Sequence, residues 1–203
     1  SLVVCTADVA REFGLCQHFE HVWQVESFAD LALKMLEADL LKPLLVKQNI
    51  SLNAVTEATK VIERIRRSNG GIEAALEFAH RMQNAVSQGG AATIRVSQRS
   101  SEALENVHRH IGNFAEAYKH SRLAVDSLRL LGEHASFQEL AEANARLGAA
   151  MFDAHRFHEG IAALNDLVDE AKNHPQLLSA ESRVMLFNTH ARLLAAVGHD
   201  GWE

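Results

Sequence analysis

The sequence predicts an all-α protein, a solenoid of antiparallel helix pairs with about nine helices. Three observations lead to this fold class. Apolar residues recur every three or four positions along Asn144–Pro175, which is the spacing of amphipathic helices. Residues suited to the turn between paired helices recur every 43 positions along the chain. The 203 residues contain only 2 prolines, so long helices are rarely interrupted.

The clearest helix pair lies in Asn144–Pro175, with a turn near His155. Its apolar stripes consist of Leu147, Ala150 and Met151 in the first helix and Phe157, Ile161, Leu164 and Val168 in the second. Gly148 and Gly160 place one small residue on each helix, so the backbones can approach closely while a bulky side chain fills the space beside each glycine. We therefore predict tight packing around both glycines.

The turn residues form one series with a constant interval of 43 residues. They are Glu26, Asn69, Gly112, His155 and Gly198. This interval divides a single domain, residues 1–203, into units of about 1–48, 49–91, 92–134 and 135–175 and a partial unit of 176–203. The partial unit ends before a second helix, and the chain starts at Ser1 rather than at a methionine. We therefore expect a fragment of a longer chain.

Each complete unit is predicted to hold two helices. The first helices lie near residues 5–24, 52–68, 93–110, 137–153 and 177–197, and the second helices lie near 27–42, 71–88, 113–131 and 157–173. Breaks between units fall at Pro43, Gly89-Gly90, Gly132 and Pro175. Gly70, Gly71 and Gly112 suit helix ends that need a positive φ angle. A helical bundle without repeats is the alternative architecture.

Leu147-Gly148, with Met151 three residues after the glycine, matches the L-G-x-x-Y part of the tetratricopeptide pattern. Gly160 and Leu164 then take the places of a small and a large residue in the second helix. The chain therefore resembles the tetratricopeptide-repeat (TPR-like) superfamily, in a long-repeat variety with a period of about 43 residues rather than the usual 34 or so. This resemblance implies a right-handed superhelix whose concave wall is built from the first helices and usually receives peptides.

Two units depart from the pattern. Glu105 in unit three and Phe19 in unit one stand where unit four has Gly148. Because a large side chain at this position keeps two helices apart, we expect looser packing in units one and three. The lysine-and-asparagine carboxylate clamp of chaperone-binding relatives is not reproduced either, so binding of chaperone tails is not implied.

Composition indicates a globular protein, with 47% hydrophobic and 23% charged residues. The net charge of −6 gives no general attraction to nucleic acid or to anionic membranes. No apolar run reaches the roughly 18 residues that span a bilayer, and the first residues lack the layout of a signal peptide. Cys5 and Cys16 lie on one predicted helix at a distance of about 16 Å, so we expect reduced thiols and a cytoplasmic location.

Twelve histidines raise the question of a metal site. His155 and His158 are three positions apart and can share a helix face, whereas His108 and His110 are two apart and point away from each other. No HExxH or Cys-x-x-Cys motif accompanies them, and no glycine-rich phosphate loop is present. We therefore predict no catalytic residues, no metal and no cofactor. A helical enzyme with a metal site of histidines is the poorer alternative.

Arginine and asparagine concentrate on the wall that the first helices are expected to form. The predicted partner-binding site comprises Arg66, Arg67, Arg99, Asn106 and Arg109, extended by Asn188 and Arg192. The guanidinium group presents a planar fork of donors that matches a carboxylate, and asparagine can hold an extended peptide backbone. We thus expect an acidic or carboxylate-bearing protein segment as partner. The alternative is that these arginines are solvated or pair with neighbouring glutamates on their own helices.

These observations predict a non-enzymatic scaffold for protein–protein interaction that binds a peptide or protein segment in a concave groove. The alternative is a regulatory sensor module, whose solenoid binds a signalling peptide or small ligand and controls an attached effector or DNA-binding domain. Self-association through an exposed last helix is a further expectation. The apolar residues expected to be exposed there are Met185, Leu186, Leu193, Leu194 and Val197, with Phe187 and Trp202 beside them.

Overall fold

The computed structural model describes residues 2–5, 7–12, 21–25, 30–31, 34–35, 51–68, 70–88 and 94–198. From residue 51 onward the described part is built from α-helices and short connecting turns. The helices are α2 (Leu52–Arg67), α3 (Ile72–Gln88), α4 (Ile94–His110), α5 (Phe114–Leu130), α6 (Phe137–Asp153), α7 (Phe157–Asn173) and α8 (Ala180–Ala196). The prediction of an all-α protein is confirmed for this part, and the predicted helix ranges agree with the structure within about three residues.

Of the predicted first helix at 5–24, residues 7–12 are helical, whereas Cys5 and residues 21–24 lie in strands. Strand β1 (Leu2–Cys5) pairs in parallel with strand β2 (His21–Gln24), and helix α1 (Ala7–Glu12) lies between them in sequence. β-branched valines in both strands favour this extended conformation. Cys5 is a free, partly buried thiol on β1, so its predicted helical relation to Cys16 is wrong; Cys16 lies outside the described residues. Of the second helix predicted at 27–42, residues 30–31 and 34–35 are helical and the rest lies outside the described residues.

Helix boundaries in the described part follow a constant interval. Helices α4, α6 and α8 each have 17 residues and begin at residues 94, 137 and 180. The turns after them contain Gly112, His155 and Gly198, whose φ angles are 75°, 58° and 70°. These members of the predicted turn series therefore share one left-handed backbone conformation.

Among the other glycines expected at helix ends, Gly70 has the predicted positive φ angle of 69°. Gly71 does not share that conformation. It lies where a Cβ atom would stand 1.8 Å from the carbonyl oxygen of Ile65, so close approach of the backbone explains this glycine.

Close packing at Gly148 and Gly160 is confirmed. A Cβ atom on Gly148 would lie 2.8 Å from Cδ1 of Leu164, and one on Gly160 would lie 2.8 Å from Cδ2 of Leu193. Both leucines are fully buried. Helix α6 thus meets α7 at Gly148, and α7 meets α8 at Gly160, with a leucine filling the space beside each glycine.

Unit three does not show the loose packing predicted from Glu105. Helices α4 and α5 make the most extensive contact of any helix pair in the described part. Leu104 and Val107 of α4 and Val125 and Leu128 of α5 are fully buried. Apolar contact along these helices holds them together although Glu105 occupies the position of Gly148. The prediction for unit one lies largely outside the described residues.

The buried side chains form three clusters along the helices. One joins α2, α3 and α4, a second joins α5 and α6, and a third joins α6, α7 and α8. Leu186 and Leu193 of α8 are fully buried in the third cluster, so their predicted exposure is wrong. Met185 and Phe187 are partly buried against the same cluster, and Trp202 lies outside the described residues. No described helix is both long enough and apolar enough to cross a bilayer.

Candidate binding groove

A groove of about 590 Å³ lies between helices α2, α4 and α6, and we call it the arginine groove. Its lining residues are Thr59, Lys60, Glu63, Arg64, Arg67, Arg99, Glu102, Ala103, Glu105, Asn106, Arg109 and Arg146. All of them lie on α2, α4 or α6, which are the first helices of the predicted pairs. The helical period places residues three and four positions apart on one face, so α2 and α4 each present a polar stripe to the groove, and α6 contributes Arg146.

Four residues of the predicted partner-binding site line this groove. They are Arg67, Arg99, Asn106 and Arg109. Arg66 lies beside them on α2, but its side chain is only 14% exposed. The extension predicted through Asn188 and Arg192 does not reach the groove, because α8 contacts α6 and α7 rather than α2 or α4. The guanidinium group of Arg192 instead covers the ring of Phe152, 4.4 Å from its centroid.

One carboxylate, Glu63, already accepts hydrogen bonds from three of the predicted residues. Arg66 donates from Nε (2.9 Å) and a terminal nitrogen (2.6 Å), and Arg67 donates from Nε (2.8 Å). Asn106 donates from α4 across to α2 at 3.1 Å. The hydrogen bond from Arg66, aided by that from Arg67, lowers the pKa of Glu63 to about 2, whereas partial burial acts in the opposite direction. Glu63 therefore stays ionised and fixes these donors in place.

A second carboxylate, Glu102, organises the middle of the groove. It accepts hydrogen bonds from Gln98 (2.9 Å) and Arg99 (2.8 Å) on its own helix and forms an ion pair with Arg146 of α6 (3.4 Å). Arg109 donates in the opposite direction, from α4 to Asp153 of α6 at 2.6 Å. The alternative prediction, pairing of arginines with glutamates on their own helices, is thus confirmed for Arg66, Arg67 and Arg99. Arg109 pairs across helices instead.

Glu105 is the buried carboxyl group of the groove. Its side chain is only 5% exposed. Burial raises the pKa of Glu105 to about 7, against the attraction of Arg109 and Arg146. Near neutral pH this carboxyl group is therefore partly protonated and contributes less than a full negative charge.

The lining of the groove carries an excess of positive charge. It contains six lysine and arginine side chains and three carboxyl groups, one of which is Glu105. The whole chain, in contrast, has a net charge of −6. Arg67 and Arg99 are 72% and 48% exposed, so part of each guanidinium group remains accessible although each also pairs with a carboxylate. The groove can therefore attract an acidic group while internal carboxylates hold its donors in position.

Sequence reasoning missed several lining residues, chiefly Lys60, Arg64, Glu105 and Arg146. Lys60 and Arg64 are four residues apart on the same face of α2 as Glu63 and Arg67, so helical spacing alone could have found them. Glu105 and Arg146 face the groove from α4 and α6. Their placement depends on how the helices cross, which the residue pattern of one helix does not determine.

Comparison with protein-family models, with curated proteins and with solved structures finds no match to this chain. The fold and the groove are therefore the basis for any statement about function.

Proposed function

We propose that this chain is a TPR-like helical scaffold, acting in the cytoplasm without enzymatic activity, that binds an acidic protein segment in the arginine groove. The observation that carries the proposal is the charge of the groove. Six cationic side chains face three carboxyl groups in a chain of net charge −6. Such a local reversal of sign attracts acidic partners to one place on the surface.

The repeated helix boundaries support the solenoid part of the proposal. Helices α4, α6 and α8 begin at residues 94, 137 and 180, and left-handed turn residues follow at 112, 155 and 198. Among the helices between residues 51 and 198 that the structure describes, extensive contacts join only first and second neighbours in the chain. This is the contact pattern expected of stacked helix pairs.

Arg64, Arg67 and Arg99 are the groove cations best suited to a test, because all three are exposed. We expect fluorescence anisotropy to detect binding of a labelled glutamate-rich peptide, with weaker binding at higher salt because the charges are screened. A lysine-rich peptide of equal length should not bind. Reversal of the three arginines to glutamate should weaken binding of the acidic peptide at least about tenfold.

The matched control reverses the same number of charges on α5 and α7, through Arg122→Glu, Arg129→Glu and Lys172→Glu. These side chains are 62%, 64% and 63% exposed and lie outside the groove. Retained binding in the control, with loss in the groove variant, supports the proposal. Equal loss in both variants, or equal affinity for the acidic and basic peptides, would exclude recognition in the arginine groove.

A further inference from the structure

A cluster of histidines lies between helices α3, α4 and α5, built from residues outside the lining of the arginine groove. His108 of α4 stacks on His120 of α5, with ring centroids 5.5 Å apart and ring planes within 5° of parallel. His80 of α3 contacts the His108 ring edge-on at 5.6 Å. Glu116 stands one helical turn before His120, and their closest nitrogen and oxygen atoms are 3.7 Å apart. Three helices thus bring nitrogen and oxygen donors together.

Both stacked histidines are buried with unsatisfied nitrogen atoms. His108 and His120 are each 5% exposed. Neither ring nitrogen of His108, nor Nδ1 of His120, has a hydrogen-bond partner among the described residues. A buried polar atom without a partner destabilises the folded protein, so native structures seldom retain one without compensation. Each neutral imidazole ring has one nitrogen lone pair, so the two rings of this cluster offer two nitrogen atoms to a ligand that accepts electron pairs.

We propose that His108, Glu116 and His120 form a zinc-binding site, with water as the fourth ligand. One donor atom from each of these residues lies within 4.8 Å of the others. Two imidazole nitrogens and one carboxylate oxygen form a ligand set that Zn²⁺ accepts in tetrahedral geometry. Zinc–ligand bonds of about 2.0–2.2 Å require the donor atoms to move closer together. A turn of one stacked imidazole ring and of the Glu116 side chain would provide this movement.

The surroundings of the cluster fit a divalent cation. Burial lowers the pKa of His108, and burial followed by repulsion from His108 lowers the pKa of His120 to about 4. Both shifts favour the neutral form of the imidazole ring, which is the form that binds metal. Glu116 is 39% exposed, which gives an ion a path from solvent. Lys119 donates to Glu116 at 3.2 Å, and zinc would replace this contact.

A zinc ion at this place would connect α4 to α5. These helices follow each other around the turn at Gly112, so a bound ion would hold the two helices of one pair at a fixed separation. The site uses residues other than those of the arginine groove and stands independently of the proposed peptide binding.

Isothermal titration of untagged, metal-free protein with ZnCl₂ tests this site. We expect one zinc ion per chain with micromolar or tighter affinity, and a higher melting temperature in its presence. Co²⁺ in place of zinc should give the absorption bands of a tetrahedral complex. His108→Gln and His120→Gln should each abolish stoichiometric binding. Glu116→Gln, on the accessible edge of the cluster, should weaken it at least about tenfold.

The matched control is His158→Gln/His174→Gln. It replaces two exposed histidines, His158 in α7 and His174 at the C-terminal cap of α7. It should bind zinc as the unchanged protein does. Circular dichroism shows whether the two buried-histidine variants fold, and Glu116→Gln gives a separate test if they do not. Absence of stoichiometric zinc binding in the unchanged protein, or unchanged zinc binding in Glu116→Gln, would overturn the proposal.

Discussion

Glu105 and Gly148 occupy equivalent positions in two units but have different structural roles. They are 43 residues apart in sequence, on α4 and α6. Gly148 lets the side chains of Leu164 and Thr189 approach to distances that a Cβ atom would obstruct. Glu105 instead brings a carboxyl group into the groove, buried and with a raised pKa. The equivalence was visible in the sequence, whereas the burial of Glu105 depends on the helices around it.

We expect the raised pKa of Glu105 to make the protein less stable as pH rises. The native carboxyl group keeps its proton up to about pH 7, whereas the unfolded group loses it near pH 4.5. Between these values the native state binds more protons, so the free energy of unfolding falls with rising pH, by about 3 kcal/mol at most. The charged groups that act on the pKa of Glu105 are Arg109 and Arg146, which lower it, and Glu102 and Asp153, which raise it.

Urea unfolding of Glu105→Gln at pH 5 and pH 8 measures this effect. Glutamine keeps the shape of the side chain without its ionisation, so the variant should gain stability relative to the unchanged protein as pH rises. Glu181→Gln, at an exposed position on α8, is the control and should show no such gain. A constant difference between Glu105→Gln and the unchanged protein at both pH values would contradict the raised pKa.

Gly148→Ala should lower the free energy of unfolding by about 1–2 kcal/mol. The added methyl group would lie 2.8 Å from Cδ1 of Leu164 and 3.1 Å from Cγ2 of Thr189, and the cost of overpacking outweighs the gain of about 1 kcal/mol in helix propensity. Urea titration gives the value. In a double-mutant cycle, Leu164→Val should cost less in the alanine background than alone, because it removes a colliding methyl group. Stabilisation by Gly148→Ala would show that the helices separate easily.

At the scale of helices and strands, periodicity predicted α2 to α7 because each carries a stripe of apolar residues at helical spacing. Helix α8 was predicted as well, although its buried face includes Ser182 and Thr189 beside Leu186 and Leu193. The turn residues were also predictable, since a left-handed conformation favours glycine, and Gly112 and Gly198 supply it. The helix predicted at 5–24 included Cys5 of strand β1 and residues 21–24 of strand β2, because the repeat was extended over both strands. Both segments contain valine, which favours the extended conformation, and they pair with each other as strands. A search for a helical repeat does not reveal such strand pairing.

Ser136 and Glu139 begin α6 with a capping box, and Glu139 also pairs with Arg95 of α4. We expect Glu139→Ala to destabilise the protein by about 1–2 kcal/mol, because it removes both the cap contact and the ion pair. Glu139→Gln should cost less, since glutamine can still accept from the backbone of Ser136. Thermal and urea unfolding of both variants provide the comparison, and an equal cost for both would assign the effect to the ion pair alone.

The pH dependence of the Glu139 contribution has the opposite sign to that of Glu105. The hydrogen bond from Arg95, with further hydrogen bonds from Ser136, lowers the pKa of Glu139 to about 2. The unfolded state therefore binds more protons than the native state between about pH 4.5 and 2. The stability difference between the unchanged protein and Glu139→Gln should be full above pH 5 and should shrink as pH falls towards 2. Urea unfolding of both proteins between about pH 2 and pH 5 measures this difference. A stability difference that grows on acidification would contradict the ion pair between Glu139 and Arg95.

At the scale of the whole molecule, polar contacts connect successive first helices in both directions. Carboxylates on the earlier helix receive donors from the later one, Glu63 from Asn106, Glu102 from Arg146 and Glu142 from Ser182. Arg95 and Arg109 of α4 instead pair with Glu139 and Asp153 of the later helix α6. The arginines of the groove were predictable as a concentration of one residue type. Their internal carboxylate partners were not fully predictable, because contacts between helices depend on crossing geometry. The histidine cluster was missed for the same reason, since His108 and His120 lie on different helices.

Separate apolar clusters predict that stability varies along the chain. Leu104 lies in the cluster of α2, α3 and α4, Leu193 lies in that of α6, α7 and α8, and both are fully buried. Substitution of either leucine by alanine should cost about 2–5 kcal/mol locally. By native-state hydrogen exchange, Leu193→Ala should reduce amide protection in α7 and α8 while α2 and α3 keep theirs, and Leu104→Ala should do the reverse. Equal loss of protection throughout the described helices would show a single cooperative unit.

The constant interval between helix boundaries also has a consequence for how such a chain can change its length. Helices α4, α6 and α8 begin 43 residues apart, and helix contacts of more than a few residues involve only first and second neighbours. A gene duplication or deletion of one 43-residue block would therefore keep the helix lengths and the turn positions in register on either side of the change. Helices distant from the change would keep their existing neighbours.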